Sequence, residues 1–356
     1  MAGIYIHIPF CKQRCTYCAF YSTTLYNIRE RYVDALCKEI LMRKEYAASA
    51  PIETIYFGGG TPSTLTMEQL QKICNTIYDV HSVSPTAEVT IECNPDDLTE
   101  EFLAKLRSLP FNRISMGVQS FDDNILKWMN RRHDAANAIK AYHILEDAGV
   151  ENISIDLIFG LPQLSSELWD VTLQKALSIS SKGKLPKHIS SYQLSVEPGS
   201  ALASLVERGM WKEASEELCA AQYTRLCEVL KTSGYHHYEI SNFALPGYEA
   251  VHNSAYWRHV PYVGLGPGAH SYIADGVCAR KWNEPDIARY FDSMSSGDLS
   301  LIQGGEILDE EQIALEKVML ALRTAEGISE DYLMANSEAS AVEVALAEGN
   351  LIRTPD

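Results

Sequence analysis

Over the first two hundred residues, short apolar runs alternate with longer stretches of helical spacing. Six runs, Gly3–Phe10, Thr54–Gly58, Glu88–Cys93, Arg113–Ser120, Asn152–Gly160 and His188–Ser195, are rich in Ile, Val, Tyr or Phe. Each is bounded by Gly, Pro or polar residues, which predicts six β-strands. Their starts lie 25 to 51 residues apart, room for a crossover helix between consecutive strands. The helices between them carry start and stop signals. Thr66 stands three residues before Gln69, and Leu70, Ile73, Ile77 and Val80 follow at helical spacing. Thr99 precedes Glu100 and Glu101, and Asp134 opens a helix that Gly149 closes. Six βα units predict a parallel sheet with helices outside. An open doubly wound sheet and an incomplete (β/α)6 barrel both satisfy this pattern. In either, reactive groups belong at the C-terminal strand ends, where Cys11, Gly59, Gly60, Thr61, Glu92, Gln119 and Asp156 fall or closely follow.

The pattern changes beyond residue 200. Glu213–Ser233 reads as a helix, 235–272 is dense in aromatics, Gly, Pro and His, and two acidic helices follow over Asp309–Thr324 and Ser329–Glu348. Residues 1–210 are expected to form the α/β unit and 211–356 a smaller, α-rich domain. The last residues, Leu351–Asp356, have the pattern of a strand cut short.

Composition narrows the function. Hydrophobic residues make up 46% and charged residues 22% of 356, the balance of a folded chain rather than a disordered one. The formal charge is −17, and residues 298–356 hold 13 acids against 3 bases. A duplex or an anionic lipid face would be repelled, so nucleic acid is not an expected partner. Pro9, Lys12 and Arg14 break any signal-peptide core, and nine cysteines, an odd number, do not suit a secreted disulfide scaffold. A reducing cytoplasm is the expected compartment.

Three of those cysteines, Cys11, Cys15 and Cys18, fall within eight residues. Chance gives that spacing with a frequency of about 0.006. Three thiols on one loop suit an iron–sulfur cluster with one iron left open. A structural zinc, with His7 as a fourth ligand, and a plain buried cysteine cluster are the alternatives.

The spacing Cys-x3-Cys-x2-Cys after a first strand, with Tyr17 before the last cysteine, resembles the radical S-adenosylmethionine (SAM) superfamily. Tyr5-Ile-His-Ile-Pro-Phe-Cys11 narrows the resemblance to the group holding the oxygen-independent coproporphyrinogen III oxidases and the HemW haem chaperones. Phe57-Gly-Gly-Gly-Thr-Pro-Ser63, Ile91-Glu-Cys-Asn-Pro95, Ser115-Met-Gly-Val-Gln-Ser-Phe121, Asn130-Arg131, Ile155–Pro162 and Gly264–His270 extend it to about residue 325. The resemblance implies an incomplete (β/α)6 TIM-like barrel. It implies a 4Fe-4S cluster on Cys11, Cys15 and Cys18, whose open iron binds the amino and carboxylate groups of SAM. It also implies that Tyr5 and Tyr17 line the cofactor site, that Gly59, Gly60 and Thr61 receive the methionine moiety, and that Glu92 accepts from the ribose and amino group. Gln119, Arg131 and Asp156 match further contacts. In the family's chemistry, the reduced cluster cleaves SAM to a 5′-deoxyadenosyl radical.

Two features separate the relatives. The oxidases carry a fourth cysteine two residues after the third, where this chain has Phe20, and an N-terminal extension before the first. His252-Asn253-Ser-Ala-Tyr256-Trp257 matches the His-Asn-x-x-Tyr-Trp segment of HemW. The expected function is therefore a haem chaperone, which carries haem as cargo to an acceptor protein and draws electrons from a reductant protein. Coproporphyrinogen III decarboxylation is the alternative. His252 is the expected haem ligand, with His236, His237 and His270 competing. A membrane-associated acceptor is compatible with this reading.

Overall fold

The computed structural model describes residues 2–47 and 50–354. All six expected strands form: β1 (Ala2–Ile8), β2 (Ile52–Gly59), β3 (Val83–Cys93), β4 (Arg113–Gln119), β5 (Asn152–Phe159) and β6 (His188–Gln193). They pair in parallel and in chain order, β1-β2-β3-β4-β5-β6. An order without reversal keeps every crossover on one face, which decides for a barrel over a doubly wound sheet. Helices including Arg29–Met42, Met67–Val80, Ala135–Asp147 and Ser166–Leu177 fill the connections. The expected start signals act as caps. Thr66 and Gln69 form a reciprocal capping box, and Thr99 and Asp134 accept from Phe102 and Asn137 amides. Gly149 ends its helix at φ +74°, a left-handed turn that glycine adopts without steric cost.

The chain after residue 210 is mixed rather than mainly helical. Besides the helix Glu216–Thr232 it adds β7 (His236–Glu239), β8 (Asn242–Ala244), β9 (Tyr262–Leu265), β10 (His270–Asp275), β11 (Val277–Asn283) and β12 (Gln303–Ile307). These extend the sheet at both edges, in the order β12-β11-β10-β9-β1 at one side and β6-β8-β7 at the other. β9 lies parallel to β1. Their shortness and their Gly, Pro and His content hid them from an alternation test. The expected Ser329–Glu348 helix is two, Glu330–Ala335 and Ala339–Ala347. The expected terminal strand does not form over residues 351–354, and residues 355–356 lie outside the described residues.

Alternate side chains of the strands serve opposite faces. Ile4, Ile6, Ile8, Phe57, Ile91, Met116, Ile155 and Ile189 are buried in the main core. Each contributes about 1.5–3 kcal/mol by leaving water. The interleaved positions, Tyr56, Glu92, Ser115, Gly117, Asp156 and Ser190, line a cavity of about 630 Å³. A barrel lumen of this type is ordinarily packed with branched apolar side chains. This polar lumen gives up that packing for a site.

Candidate functional site

The cavity opens at the C-terminal strand ends, and Cys11, Cys15 and Cys18 line its mouth. They ride on the loop after β1, which is pinned at both ends and at its apex. The Cys11 amide donates to Thr23 O at 3.0 Å and the Thr16 amide to Met129 O at 3.1 Å, while Thr16 O accepts from Leu202 N at 2.8 Å. The thiols share one environment. Cys11 accepts from Thr61 Oγ1 at 3.6 Å and Cys15 from Arg131 Nη1 at 3.3 Å. Burial pushes the Cys18 thiol up to about 11, and the neighbouring Cys15 and Cys11 add to the rise. A cationic metal centre would reverse that balance.

The segment after β2 is fused to the end of β1. Gly60 N donates to Ile8 O and Thr61 N to Phe10 O, both at 2.8 Å. A Cβ on Gly60 would stand 2.8–3.0 Å from that same backbone, and Gly59 sits at φ +100° against the His7 ring. Only glycine permits so close an approach. Opposite, the half-buried Arg131 donates from Nη2 to Asn94 Oδ1 at 2.6 Å and to Gly117 O at 2.7 Å. It also bonds Tyr17, while its buried Nε has no partner. Gln119 closes β4 at φ +66°, an uncommon conformation for a residue with a side chain and one that concentrates at functional sites.

Deeper in the lumen, Glu92 Oε1 accepts from Tyr56 OH at 2.7 Å. Burial raises its carboxyl to about 7, with the Asp156 charge adding to the rise. Asp156 is raised too, by burial, against the donation of Ser115 Oγ at 3.2 Å. Arg113 lines the same cavity, its Nε 4.0 Å from Glu88 Oε2 and without a hydrogen bond.

Eleven of the expected site residues therefore line one cavity: Cys11, Cys15, Cys18, Tyr17, Gly59, Gly60, Thr61, Glu92, Gln119, Arg131 and Asp156. Two do not. Tyr5 lies behind the wall, its ring stacked on Tyr56 at 6.2 Å and its hydroxyl donating to His7 Nδ1 at 3.1 Å. His252 departs furthest from expectation. It is 2% exposed, with Nδ1 bonded to Thr54 Oγ1 and Nε2 to Tyr256 OH, both at 2.8 Å. As folded, this ring has no lone pair to offer an iron and packs as a core histidine. Its neighbour Asn253 reaches the cavity instead. Asn94, Ser115, Tyr56 and Arg113 were missed. Strand alternation back from Gln119 would have found Ser115 and Arg113, and back from Gly60 through β2 would have found Tyr56; Asn94, two residues after Glu92, lies in a motif already noted.

The profile of the radical SAM superfamily matches residues 5–176. The haem chaperone HemW of Synechocystis sp. is 38% identical over 337 residues, covering 91% of this chain and 78% of that one. HemW of Bacillus subtilis is 35% identical, covering 92% and 85%. The chain belongs to the HemW family of radical SAM proteins. Among solved structures, the coproporphyrinogen III oxidase HemN of Escherichia coli superposes with a TM-score of 0.82 over 99% of this chain and 84% of that one. Its 23% identity speaks for a shared fold alone. Against HemN and its fold, the HemW assignment rests on identity along nearly the whole chain.

Proposed function

We propose that this protein binds haem and passes it to an acceptor protein, with a 4Fe-4S cluster on Cys11, Cys15 and Cys18 and SAM in the barrel lumen. The carrying observation is the near-full-length identity to chaperones named for haem. Phe20, 66% exposed at the cavity mouth where the oxidases carry a fourth cysteine, supports the chaperone over the decarboxylase. The thiol trio fits a cluster better than a single zinc. Zinc would need a fourth ligand, and the ring of His7, the residue that could supply it, is spent on Tyr21 O at 2.8 Å and the Tyr5 hydroxyl at 3.1 Å.

When bound, the cluster supplies an open iron site and a low-potential electron. This chain's own residues position the ligand. Arg131, with its spare Nε, holds the SAM carboxylate. Gly59 and Gly60 let the methionine chain lie against backbone, and ionised Glu92 accepts from the ribose and the amino group. Burial keeps water from these contacts. The chain works in the cytoplasm with a reductant protein. No helix among the described residues is long and apolar enough to cross a membrane, so any membrane-associated acceptor would come to it.

Anaerobic reconstitution followed by haem titration tests the reading. A Soret band saturating near one equivalent is expected, with no protoporphyrinogen formed from coproporphyrinogen III. Steady decarboxylation with SAM and reductant would defeat it. Because Glu92 ionises only above about pH 7, SAM affinity is expected to rise about tenfold between pH 6 and pH 8. Glu92→Gln should flatten that profile. An unchanged slope in the variant, measured by equilibrium dialysis, would remove Glu92 from the site.

A further inference from the structure

The chain is strongly acidic, with 47 Asp and Glu against 30 Lys and Arg, yet the cysteine loop and the segment packed against it are not. Residues 11–22 carry Lys12 and Arg14 and no acid, and residues 124–133 carry Lys127, Arg131 and Arg132 and no acid. The fold joins the two segments. Thr16 N donates to Met129 O at 3.1 Å and Thr16 Oγ1 to Trp128 O at 3.0 Å. Gln13 Nε2 donates to Asn130 O at 3.1 Å, and Asn130 Nδ2 returns a bond to Arg14 O at 2.8 Å. We propose that this basic face docks an acidic one-electron carrier protein, which delivers its electron through the cysteine loop. The inference rests on the cluster assigned above.

Part of the charge is spent on structure. Lys12 pairs with Asp97 at 2.6 Å, Arg132 pairs with Asp96, and Arg131 lines the cavity. Asp122 and Asp123 stand at the far end of the helix Asp123–Trp128, where they accept from the amides of Asn124 and Ala135. Arg14 and Lys127 remain. Both are exposed, and neither side chain has an ion-pair or hydrogen-bond partner among the described residues. Arg14 lines the cavity mouth with Cys15 and Cys18, and its charge favours the Cys18 thiolate. Ala19 and Phe20, both exposed directly after Cys18, add apolar contact to the charged rim, the make-up of a docking patch.

The position of the face selects the partner. SAM takes the lumen side of the thiols, so an electron reaches the cluster most directly from the loop side. Elsewhere a chain of charge −17 repels an acidic carrier, and two free cations beside the thiols both steer the encounter and orient it. The exchange balances as one electron: the carrier is oxidised by one, the cluster is reduced by one, and no bond or proton changes hands. An anionic lipid surface feels the same cations but brings no electron.

The test is stopped-flow reduction of the reconstituted full chain by a reduced, acidic two-iron ferredoxin. Calorimetric association with the oxidised ferredoxin gives a readout independent of electron transfer. Arg14→Glu with Lys127→Glu should lower both rate constant and affinity at least tenfold at low salt. The gap should close near 1 M salt, where the screening length is about 3 Å. Lys184→Glu makes the same charge change as Lys127→Glu, but in the connection entering β6, at the opposite strand ends; it should stay within twofold of wild type. The methyl viologen radical, a small cation, should reduce every variant at least as fast as wild type. Wild-type rate and affinity in the double variant overturn the docking face and leave the proposed function standing. A loss matched by Lys184→Glu overturns it too, because net charge alone would then explain the effect. So do phosphatidylserine vesicles that bind wild type and not the double variant while ferredoxin reduction is unchanged, which would assign the face to a membrane. Should the double variant fail to keep its cluster, Lys127→Glu decides alone, and an unchanged rate in it overturns the face. A wild-type chain that assembles no cluster overturns the proposed function and this inference with it.

Discussion

Cys15→Ser is expected to lose cluster iron and SAM binding together while the barrel stays folded. An alcohol is a poor iron ligand at neutral pH, because the thiolate, not the neutral group, makes the bond. Two remaining thiols on a loop cannot hold a cube by three corners. SAM binding goes with it, since the open iron is one of its anchors and Arg131 Nη1 loses its contact to the Cys15 sulfur at 3.3 Å. The fold does not depend on this thiol. The loop is tied by the Cys11, Thr16 and Thr23 backbone bonds, and Cys15 is half-exposed at a cavity wall. The change in stability should therefore stay within about 0.5 kcal/mol, the range for substitutions outside packed cores. Iron and sulfide analysis, absorbance near the cluster bands and a circular dichroism melt are the measurements. Full iron and sulfide in the variant would mean that the cluster is mounted elsewhere.

The parts of this molecule that were legible in its sequence share a cause. Strands β1 to β6 show because each keeps one face of Ile, Val, Leu or Phe against the helices, and their start signals sit in short, regular capping patterns. The cysteine loop shows because three thiols at that spacing have few other uses. Strands β7 to β12 did not show. β8 is three residues long, and β9 is four; β6 and β1, which join them to the barrel, come from distant parts of the chain, a pairing no local pattern carries. The packing of His252 did not show for a related reason. A histidine in a distinctive segment looks like a ligand until its neighbours are known, and Thr54 and Tyr256 consume both nitrogens. Gly264–His270 illustrates a motif whose purpose is structural in this fold. A Cβ on Gly266 would stand 2.7 Å from His7 O, and one on Gly264 would overlap His270 O. Those glycines let β9 and the chain after it press against β1, the strand that leads into the cysteine loop.

That junction is also where a single substitution should cost most. Glu39 is fully buried, and each of its oxygens is bonded twice. Oε2 accepts from Gly266 N and Tyr290 OH, both at 2.8 Å. Oε1 accepts from Asn283 Nδ2 and Arg43 Nη2, also at 2.8 Å. Arg43, 1% exposed, reaches on to Asn283 Oδ1 at 2.6 Å and Gly264 O at 3.3 Å. One carboxylate thus joins helix Arg29–Met42 to β9, β11 and helix Ile287–Ser296. Glu39→Ala leaves the Arg43 charge buried with neutral partners only and strands the Gly266 amide. Breaking a buried ion pair from one side costs about 3–5 kcal/mol, a large share of the stability of an ordinary domain. The expected result is a steep fall in the denaturant midpoint, with poor recovery of soluble protein. The double variant Glu39→Leu with Arg43→Met should recover much of the loss, because it removes the charge together with its partner. A Glu39→Ala protein whose chemical denaturation midpoint matches wild type would show that this network does not brace the junction behind the cysteine loop.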